Sequence, residues 1–228
     1  MTLLLSRLEK TNPKMLFRFF IVGLAACAAF GSGQVQAQNP RVQIPFELHD
    51  KSLKLTEWAK QPMLLNPVAL SFDYQGRLFV VETARRGTVD IDIRAHKEWV
   101  IDDLSNQNIP QLRKMFRSKM APELSEQNKS WLQDRNQDGS HDWRDLMAVK
   151  ERIHLLQDTD DDGKADVAKV FAEGFNQEVN GVMAGVLPYR GDVFASNYPD
   201  VWKLNDTDHD GYADKRDCLL YTSPSPRD

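Results

Sequence analysis

The fold of this chain is decided by the stretch Asp158-Thr159-Asp160-Asp161-Asp162-Gly163-Lys164-Ala165-Asp166. Aspartates stand at its first, third, fifth and ninth positions, and glycine stands at the sixth. Short loops that bind Ca²⁺ have this pattern, because alternate side chains turn inward, the seventh carbonyl adds an oxygen and glycine permits a sharp bend. The stretch therefore predicts a calcium loop.

Two further copies of the pattern occur. Asp206–Asp214 (DTDHDGYAD) repeats it closely, and Asp134–Asp142 (DRNQDGSHD) repeats it more loosely. A single Asp- and Gly-rich segment is also typical of a surface turn without metal, but three copies in one chain favour calcium. The predicted metal ligands are Asp134, Asn136, Asp138, Ser140, Asp142, Asp145, Asp158, Asp160, Asp162, Lys164, Asp166, Asp206, Asp208, Asp210, Tyr212 and Asp214.

The spacing of the copies predicts the fold class. The second copy begins 24 residues after the first, and the third begins 48 residues after the second. A period of roughly 40–50 residues is typical of the four-stranded blades of a β-propeller. Apolar runs between the second and third loops predict one strand each at Val167–Phe175, Gly181–Leu187, Asp192–Ser196 and Val201–Leu204. We therefore expect a mainly β protein that contains about two blades.

The other expected blade precedes the second loop. Asn66–Glu82 reads as strand, turn and strand, and it aligns with Asn180–Asn197. Arg152–Asp158 aligns with Asp200–Asp206, so each blade is expected to end in a strand that enters a calcium loop. Residues 38–82 then form a leader and the first strands, and residues 152–217 complete the first blade and form the second.

Residues 83–151 are expected to form a helical insertion in the first blade. Apolar residues recur at helical spacing over Ile109–Met120 and Pro122–Leu132. The loop at Asp134 is followed by Asp145 at position 12 and by further apolar residues at helical spacing. This part resembles an EF-hand or dockerin loop followed by a helix. In the other two copies Lys169 and Asp217 stand at position 12, and Lys169 predicts a weaker or more open second site.

The amino terminus is typical of a targeting segment, with basic residues ahead of the apolar run Phe19–Phe30. One interpretation is a signal peptide over residues 1–37, cleaved after Ala37. The other is a lipoprotein signal that ends at residue 26, because Leu24–Cys27 resembles the bacterial lipobox and Cys27 would carry the lipid anchor. The first predicts a secreted or periplasmic protein and the second a membrane-anchored one. Both interpretations place the protein outside the cytoplasm, where calcium is plentiful enough to fill weak loops.

Composition excludes several other classes of function. The net charge is −4 and no basic stripe is present, so nucleic acid is not an expected partner. The two cysteines, Cys27 and Cys218, cannot form a disulfide framework or a haem-attachment motif. The Ser-Pro-Ser-Pro segment cannot supply a ladder strand, and residues 218–228 are therefore expected to be a non-native or disordered tail.

The only candidate for binding an organic cofactor is the charged group after the second apolar strand. Glu82, Arg85 and Arg86 lie there, and guanidinium pairs suit an anionic cofactor. An exposed charged turn is the alternative interpretation. No motif for a catalytic nucleophile or a dinucleotide is present, so the catalytic residues stay unassigned.

Asn66–Glu82 (NPVALSFDYQGRLFVVE), Ile153–Phe175 and Asp192–Asp214 resemble the amino-terminal propeller of the membrane-bound dehydrogenase family of Planctomycetes and Verrucomicrobia. That propeller is similar to the one in soluble glucose and sorbosone dehydrogenases, which use the quinone cofactor PQQ. The resemblance implies a quinone-dependent dehydrogenase with calcium and PQQ. It also implies haem in a cytochrome domain further along the parent chain, so this segment alone is expected to be inactive.

Three functions follow from these features, and the sequence leaves them open. The first is an extracytoplasmic oxidoreductase that acts on a sugar or alcohol. The second is a non-catalytic, calcium-rigidified module that binds carbohydrate or protein. The third is a dockerin-like interaction module over Asp134–Ile153.

Overall fold

The computed structural model describes residues 2–8, 18–21 and 52–220. The chain divides into two compact units: residues 1–64 with Asp162–Lys164, and residues 65–161 with 165–228. The predictions of cleavage after Ala37 and of a lipid anchor at Cys27 fall outside the described residues. No helix within the described ranges is long and apolar enough to cross a membrane.

The first unit contains a three-stranded antiparallel sheet. Its strands are β1 (Thr2–Leu8), β2 (Arg18–Ile21) and β3 (Leu53–Lys60), in the order β2-β1-β3. Strands β1 and β2 lie in the segment for which the sequence predicts a signal peptide. That signal peptide stays a prediction.

The second unit contains two four-stranded antiparallel sheets, so the prediction of a mainly β protein is confirmed. In both, neighbouring strands follow one another along the chain. Sheet 1 consists of β4 (Pro67–Phe72), β5 (Leu78–Glu82), β6 (Glu151–Gln157) and β7 (Val167–Gly174). Sheet 2 consists of β8 (Met183–Tyr189), β9 (Asp192–Asn197), β10 (Asp200–Asn205) and β11 (Lys215–Leu220).

The strands divide between the sheets differently from the prediction. The strand at Val167 was expected to open the second blade, but it is the last strand of sheet 1. The reason is that the loop at Asp158 folds the chain back, so that Gln157 and Val167 face each other in antiparallel register. The loop at Asp206 does the same in sheet 2, where Asn205 faces Lys215.

The end of sheet 2 also differs from expectation. Cys218–Leu220, the start of the expected disordered tail, belong to β11 and pair with β10. Apolar Leu219 and Leu220 extend the strand ahead of the Ser-Pro-Ser-Pro segment. The rest of the tail, residues 221–228, lies outside the described residues.

The main core lies between the two sheets. Strands β5, β6 and β9 each contribute two alternate residues to it, because successive side chains of a strand point to opposite faces of the sheet. The rings of Phe79 and Phe171 meet edge to face at 4.9 Å in its centre, and such pairs contribute about 0.5–1.5 kcal/mol beyond burial of their area. The buried members of this core are Phe79, Val81, Ile153, Leu155, Phe171, Ala172, Phe175, Met183, Val193, Ala195, Leu204 and Ala213.

The insertion between β5 and β6 is helical in part. Helix α2 (Ile109–Lys119) confirms the first predicted helix, and the Asn108 side chain caps it by accepting from the Gln111 amide. The second predicted helix is reduced to a 3₁₀ turn at Pro122–Leu124 and to α3 (Ser125–Asn128). The remaining elements are α1 (Val100–Ser105) and 3₁₀ turns at Ile93–Ala95, Lys97–Trp99 and Trp143–Met147.

The predicted helix after the loop at Asp134 is wrong. Only the 3₁₀ turn Trp143–Met147 follows that loop, and β6 begins at Glu151. Because β6 pairs with both β5 and β7, the backbone is used in the sheet and cannot continue as a helix. The helix pair that a dockerin-like module requires is therefore not formed at Asp134–Ile153.

Candidate metal centres

The three acidic loops share one backbone conformation. In each loop the fourth and sixth residues adopt positive φ, a region that glycine enters freely and most other residues avoid. The fourth residues are Gln137 (φ 61°), Asp161 (φ 60°) and His209 (φ 63°). The sixth residues are Gly139 (φ 85°), Gly163 (φ 87°) and Gly211 (φ 92°).

The loops also share a hydrogen bond that turns the fifth carboxylate inward. In each loop the amide of the seventh residue donates to a carboxylate oxygen of the fifth. The distances are 2.8 Å from Ser140 to Asp138, 2.8 Å from Lys164 to Asp162 and 2.7 Å from Tyr212 to Asp210. The sequence pattern therefore specifies one local structure three times.

In the third loop, three carboxylates come together. Oxygens of Asp206, Asp208 and Asp210 lie within 4.8 Å of one another. The amides of Asp210 and Gly211 donate to Asp206 at 3.1 and 2.9 Å, which fixes this carboxylate at the centre of the loop. Like charges this close repel one another, and a divalent cation that prefers oxygen ligands would remove the repulsion. This donor set fits Ca²⁺.

The second loop holds an equivalent group. Oxygens of Asp158, Asp160 and Asp162 also lie within 4.8 Å of one another. Elsewhere in the described residues, no three acidic, histidine or cysteine side chains bring their ligand atoms this close together.

The ninth carboxylate of both loops forms hydrogen bonds within its own loop. Asp166 accepts from the amide of Thr159 at 3.2 Å and from its hydroxyl at 2.6 Å. Asp214 accepts in the same way from the amide of Thr207, at 3.1 Å, and from its hydroxyl. The Thr207 hydroxyl and amide lower the pKa of Asp214. Asp166 and Asp214 thus close the loops and lie outside the groups of three.

The first loop is organised around a cation of the protein itself. The Arg144 Nε donates to Asp142 at 3.0 Å, and the Arg144 guanidinium lies 3.5 Å from Asp138. Burial raises the pKa of Asp142, but hydrogen bonds from Arg144 and Ser140 outweigh it and lower the pKa to about 2. Arg144 therefore places a positive charge beside two of the predicted calcium ligands, Asp138 and Asp142.

Asp145 has a structural role in this first loop. Its carboxylate accepts from the amides of Arg135 at 2.7 Å, Asn136 at 3.2 Å and Asp142 at 2.9 Å. Asp145 is fully buried, and these amides account for both of its oxygens. The acidic residues of this loop, Asp134, Asp138, Asp142 and Asp145, do not form a group of three with carboxylate oxygens within 4.8 Å of one another, unlike the acidic residues of the other two loops.

The third loop is docked on sheet 1. The amide of Ala213 donates to the carbonyl of Phe171 in β7 at 2.7 Å. The ammonium of Lys169, also in β7, donates to the carbonyl of Asp210 at 3.0 Å. Lys169 was assigned from the sequence to the second loop, but it reaches the third. The loop of one sheet is therefore fastened to the edge strand of the other.

The candidate cofactor residues do not form an anion site. Arg85 is fully buried, and its guanidinium donates to the carbonyls of Leu146, Val149, Asn180 and Gln177 at 2.6, 2.9, 2.9 and 3.4 Å. Glu82 lies 2.8 Å from the His154 ring nitrogen and also accepts from the Leu65 amide. Only Arg86 is exposed. These residues do not fit an anionic quinone such as PQQ.

Glu151 is a buried polar residue that sequence reasoning missed. One carboxylate oxygen accepts from the Thr83 hydroxyl at 2.9 Å and from the amides of Ala84 and Arg85 at 3.0 and 2.9 Å. The other accepts from the Met183 amide in sheet 2 at 2.9 Å. Glu151 therefore joins the start of the insertion to both sheets. A glutamate at the start of an apolar strand is the only sequence signal for this role.

A cleft of about 850 Å³ lies beside the third loop. Its floor includes Phe79 and Phe171, and its rim consists of the β4–β5 turn, the β8–β9 turn and part of the third loop. Sequence reasoning missed this cleft as well. The signal that was available is that a tyrosine precedes the turn glycine in both sheets, as Tyr74 before Gly76 and Tyr189 before Gly191.

Comparison with curated proteins and with solved structures found no match. A family model does match, over residues 46–223, and it is described as a domain of unknown function, DUF7133. The matched region includes both four-stranded sheets, the insertion and all three acidic loops. The chain therefore belongs to the DUF7133 family.

Proposed function

We propose that this chain is part of an extracytoplasmic calcium-binding β-propeller, in which sheets 1 and 2 are neighbouring blades. Calcium binds in the loops Asp158–Asp166 and Asp206–Asp214 and holds the blades in register. The extracytoplasmic location rests on the targeting segment in the sequence.

The observation that carries the proposal is that both sheets have the same acidic loop at the same place. Asp158–Asp166 joins the third and fourth strands of sheet 1, and Asp206–Asp214 joins the third and fourth strands of sheet 2. Each loop gathers three carboxylates within 4.8 Å. A repeated meander with a repeated loop is what successive propeller blades provide.

Calcium at the third loop would act on the contact between the sheets as well as on the loop. The cation removes the mutual repulsion of Asp206, Asp208 and Asp210. It thereby fixes the loop conformation that presents Ala213 to Phe171. Ligand binding to the folded state alone stabilises it by about 2.7 kcal/mol when the free ligand is 100 times its Kd. We therefore expect calcium to raise the melting temperature and EDTA to lower it.

Terbium luminescence tests the third loop separately from the second. Tb³⁺ replaces Ca²⁺ in oxygen-ligand sites and is sensitised by a nearby tyrosine. Tyr212 lies at position 7 of the third loop, where the second loop has Lys164. Sensitised emission that calcium displaces is expected from the parent protein, and Asp208→Asn and Tyr212→Phe should each remove most of it.

The matched control is Asp160→Asn in the second loop. It should leave the terbium emission largely intact but remove part of the stabilisation by calcium. If calcium and EDTA give the same melting temperature for the parent protein, and no emission is sensitised, the calcium proposal is wrong.

The chemistry of the propeller is a separate proposal. The resemblance favours a quinone-dependent oxidoreductase, but Glu82, Arg85 and Arg86 do not support it because Arg85 is occupied by backbone carbonyls. The non-catalytic binding module has an observation in its favour, the open cleft with exposed tyrosines at its rim. Titrating the calcium-loaded protein with PQQ separates the two, since a dehydrogenase module should bind the quinone and a non-catalytic module should not.

A further inference from the structure

The two sheets contribute equivalent turns to one cleft. The turn between β4 and β5 holds Tyr74, and the turn between β8 and β9 holds Tyr189. Both tyrosines line the cleft of about 850 Å³. Their exposed fractions are 81% and 54%, and large aromatic side chains left this exposed in pairs around a concavity are typical of a binding site.

Three carboxylates line the cleft: two are neutralised by basic side chains, and the third, Asp206, belongs to the third acidic loop, where calcium would neutralise it. Asp73 accepts from the Arg77 guanidinium at 2.6 Å and from the Gln75 amide at 2.9 Å. Asp192 lies 3.0 Å from the Lys203 ammonium and accepts from Asn205 at 2.8 Å. The acidic residues of the β-turns therefore do not present unpaired negative charge to a ligand.

One cation at the rim has no acidic partner. The exposed Arg190 side chain forms no ion pair with a described residue, and its guanidinium carbon lies 5.1 Å from the centroid of the Tyr189 ring. Arg190 and Gly191 adopt φ of 51° and 87°, so the tight turn fixes the point at which the Arg190 side chain leaves the backbone. A guanidinium that stacks on an aromatic ring keeps its donors available for a planar anion.

We propose that this cleft binds an acidic oligosaccharide, one that carries carboxylate or sulfate groups. Sugar rings stack on Tyr74 and Tyr189, because the apolar face of a pyranose matches the face of an aromatic ring. Arg190 donates to the acidic group of the sugar, and Gln75 lies at the same rim to bond hydroxyls. The inference deepens the binding-module form of the proposed function, and it does not require PQQ.

Titration calorimetry of the full chain tests the proposal, with oligogalacturonate, a sulfated oligosaccharide and neutral cellohexaose as probes. We expect at least one of the two acidic probes to bind and cellohexaose to bind at least tenfold more weakly, a difference that closes in high salt. Tyr74→Ala should lower the affinity for the acidic probe about tenfold. Arg190→Gln should weaken it by a similar factor or more, and Arg190→Lys should retain part of the binding.

Matched controls separate the cleft from the rest of the surface. Tyr198 is 60% exposed and lies outside the cleft, and Arg86 is exposed on another turn. Tyr198→Ala and Arg86→Gln should bind the acidic probe as the parent does. These two controls, together with Tyr74→Ala and Arg190→Gln, should keep the melting temperature of the parent, because all four side chains are exposed.

Two results would overturn the inference: no binding of either acidic probe, or binding that Tyr74→Ala and Arg190→Gln leave unchanged. Equal affinity for neutral and acidic probes would also count against it. The same titrations in calcium and in EDTA distinguish it from the calcium proposal. Binding that persists in EDTA, from a protein with no calcium-dependent melting, would support the cleft and reject the calcium sites.

Discussion

The ammonium nitrogen of Lys169 lies 3.0 Å from the carbonyl oxygen of Asp210. Lys169 belongs to the edge strand of sheet 1, whereas Asp210 belongs to the acidic loop of sheet 2. One positive charge therefore stands beside the group of three carboxylates that we propose as a calcium site. The Lys169 ammonium stabilises the metal-free loop. By charge repulsion it also weakens the binding of Ca²⁺.

Lys169→Met should have opposite effects on the metal-free and the metal-bound protein. Loss of the hydrogen bond and of the positive charge should lower the melting temperature in EDTA. Loss of a nearby positive charge should tighten calcium binding by a few fold, since one such interaction across a solvated surface contributes on the order of 1 kcal/mol. Terbium displacement by calcium measures the affinity. Lys150→Met, which removes an ammonium paired with Glu173, should leave the affinity unchanged.

Glu151→Gln should be strongly destabilising. The carboxylate accepts from four donors, and it is fully buried. A glutamine has one acceptor oxygen, so its amino group would face a donor and leave it unpaired. Buried donors left unpaired cost about 1–3 kcal/mol each, and we expect the free energy of unfolding to fall by about 2–4 kcal/mol in urea titrations.

Glu173→Gln is the matched control for this glutamate. Glu173 pairs with Lys150 and Arg152 at the surface, and exposed pairs of this kind contribute about 1 kcal/mol at most. If both variants unfold at the same urea concentration, Glu151 does not hold the sheets and the insertion together.

The local structure of the loops was predictable, because each loop is encoded by adjacent residues. Aspartates at alternate positions and a glycine at the sixth specify the turn wherever it occurs, and all three copies adopt it. The mainly β class and helix α2 followed in the same way from short-range periodicity. What stays a prediction is the ion itself and the closed propeller.

Features that depend on distant contacts were not predictable. Arg85 looked like a surface cation in the sequence, but the insertion and the β7–β8 connection bring four carbonyls around it. Lys169 was assigned to the loop beside it in the chain, yet it bonds to the loop of the other sheet. The strands were assigned to sheets by distance along the chain, whereas pairing across the acidic loops decides their places.

Stability should depend on pH through Glu82. Burial raises the pKa of Glu82, but the hydrogen bonds from His154 and from the Leu65 amide outweigh burial and lower it below the usual 4.5. Because the pKa is lower in the folded protein than in the unfolded chain, the carboxylate stabilises the fold at pH values above 4.5. This contribution is lost as the pH falls through the pKa of the folded state. Glu82→Gln should therefore be less stable than the parent at pH 7, and the difference should shrink below about pH 4.5.

Urea unfolding at several pH values between 3 and 7 measures this dependence. Glu126→Gln serves as the control, because Glu126 is exposed and lies 3.8 Å from Lys129. Its difference from the parent should be small at every pH. If the free energy of unfolding of Glu82→Gln differs from that of the parent by the same amount at every pH, the charge of the Glu82 carboxylate does not contribute to stability.

Gly211→Ala and Gly139→Ala should report how tightly the third loop is docked. Both glycines have positive φ, so alanine carries the same backbone strain of about 1 kcal/mol at each. A Cβ at Gly139 meets nothing within 4 Å, whereas one at Gly211 lies 3.2 Å from Lys169 Cδ and 3.6 Å from Leu155 Cδ2. Gly211→Ala should therefore lower the free energy of unfolding by about 1 kcal/mol more than Gly139→Ala.

A double-mutant cycle identifies the source of that extra cost. In a Lys169→Ala background the crowding at Gly211 is relieved, so Gly211→Ala should cost no more than Gly139→Ala, and the coupling should be about 1 kcal/mol. The contact with Leu155 is of ordinary length and contributes little. Equal costs for the two glycine variants in the parent background would show that the Lys169 side chain does not press on the third loop at Gly211.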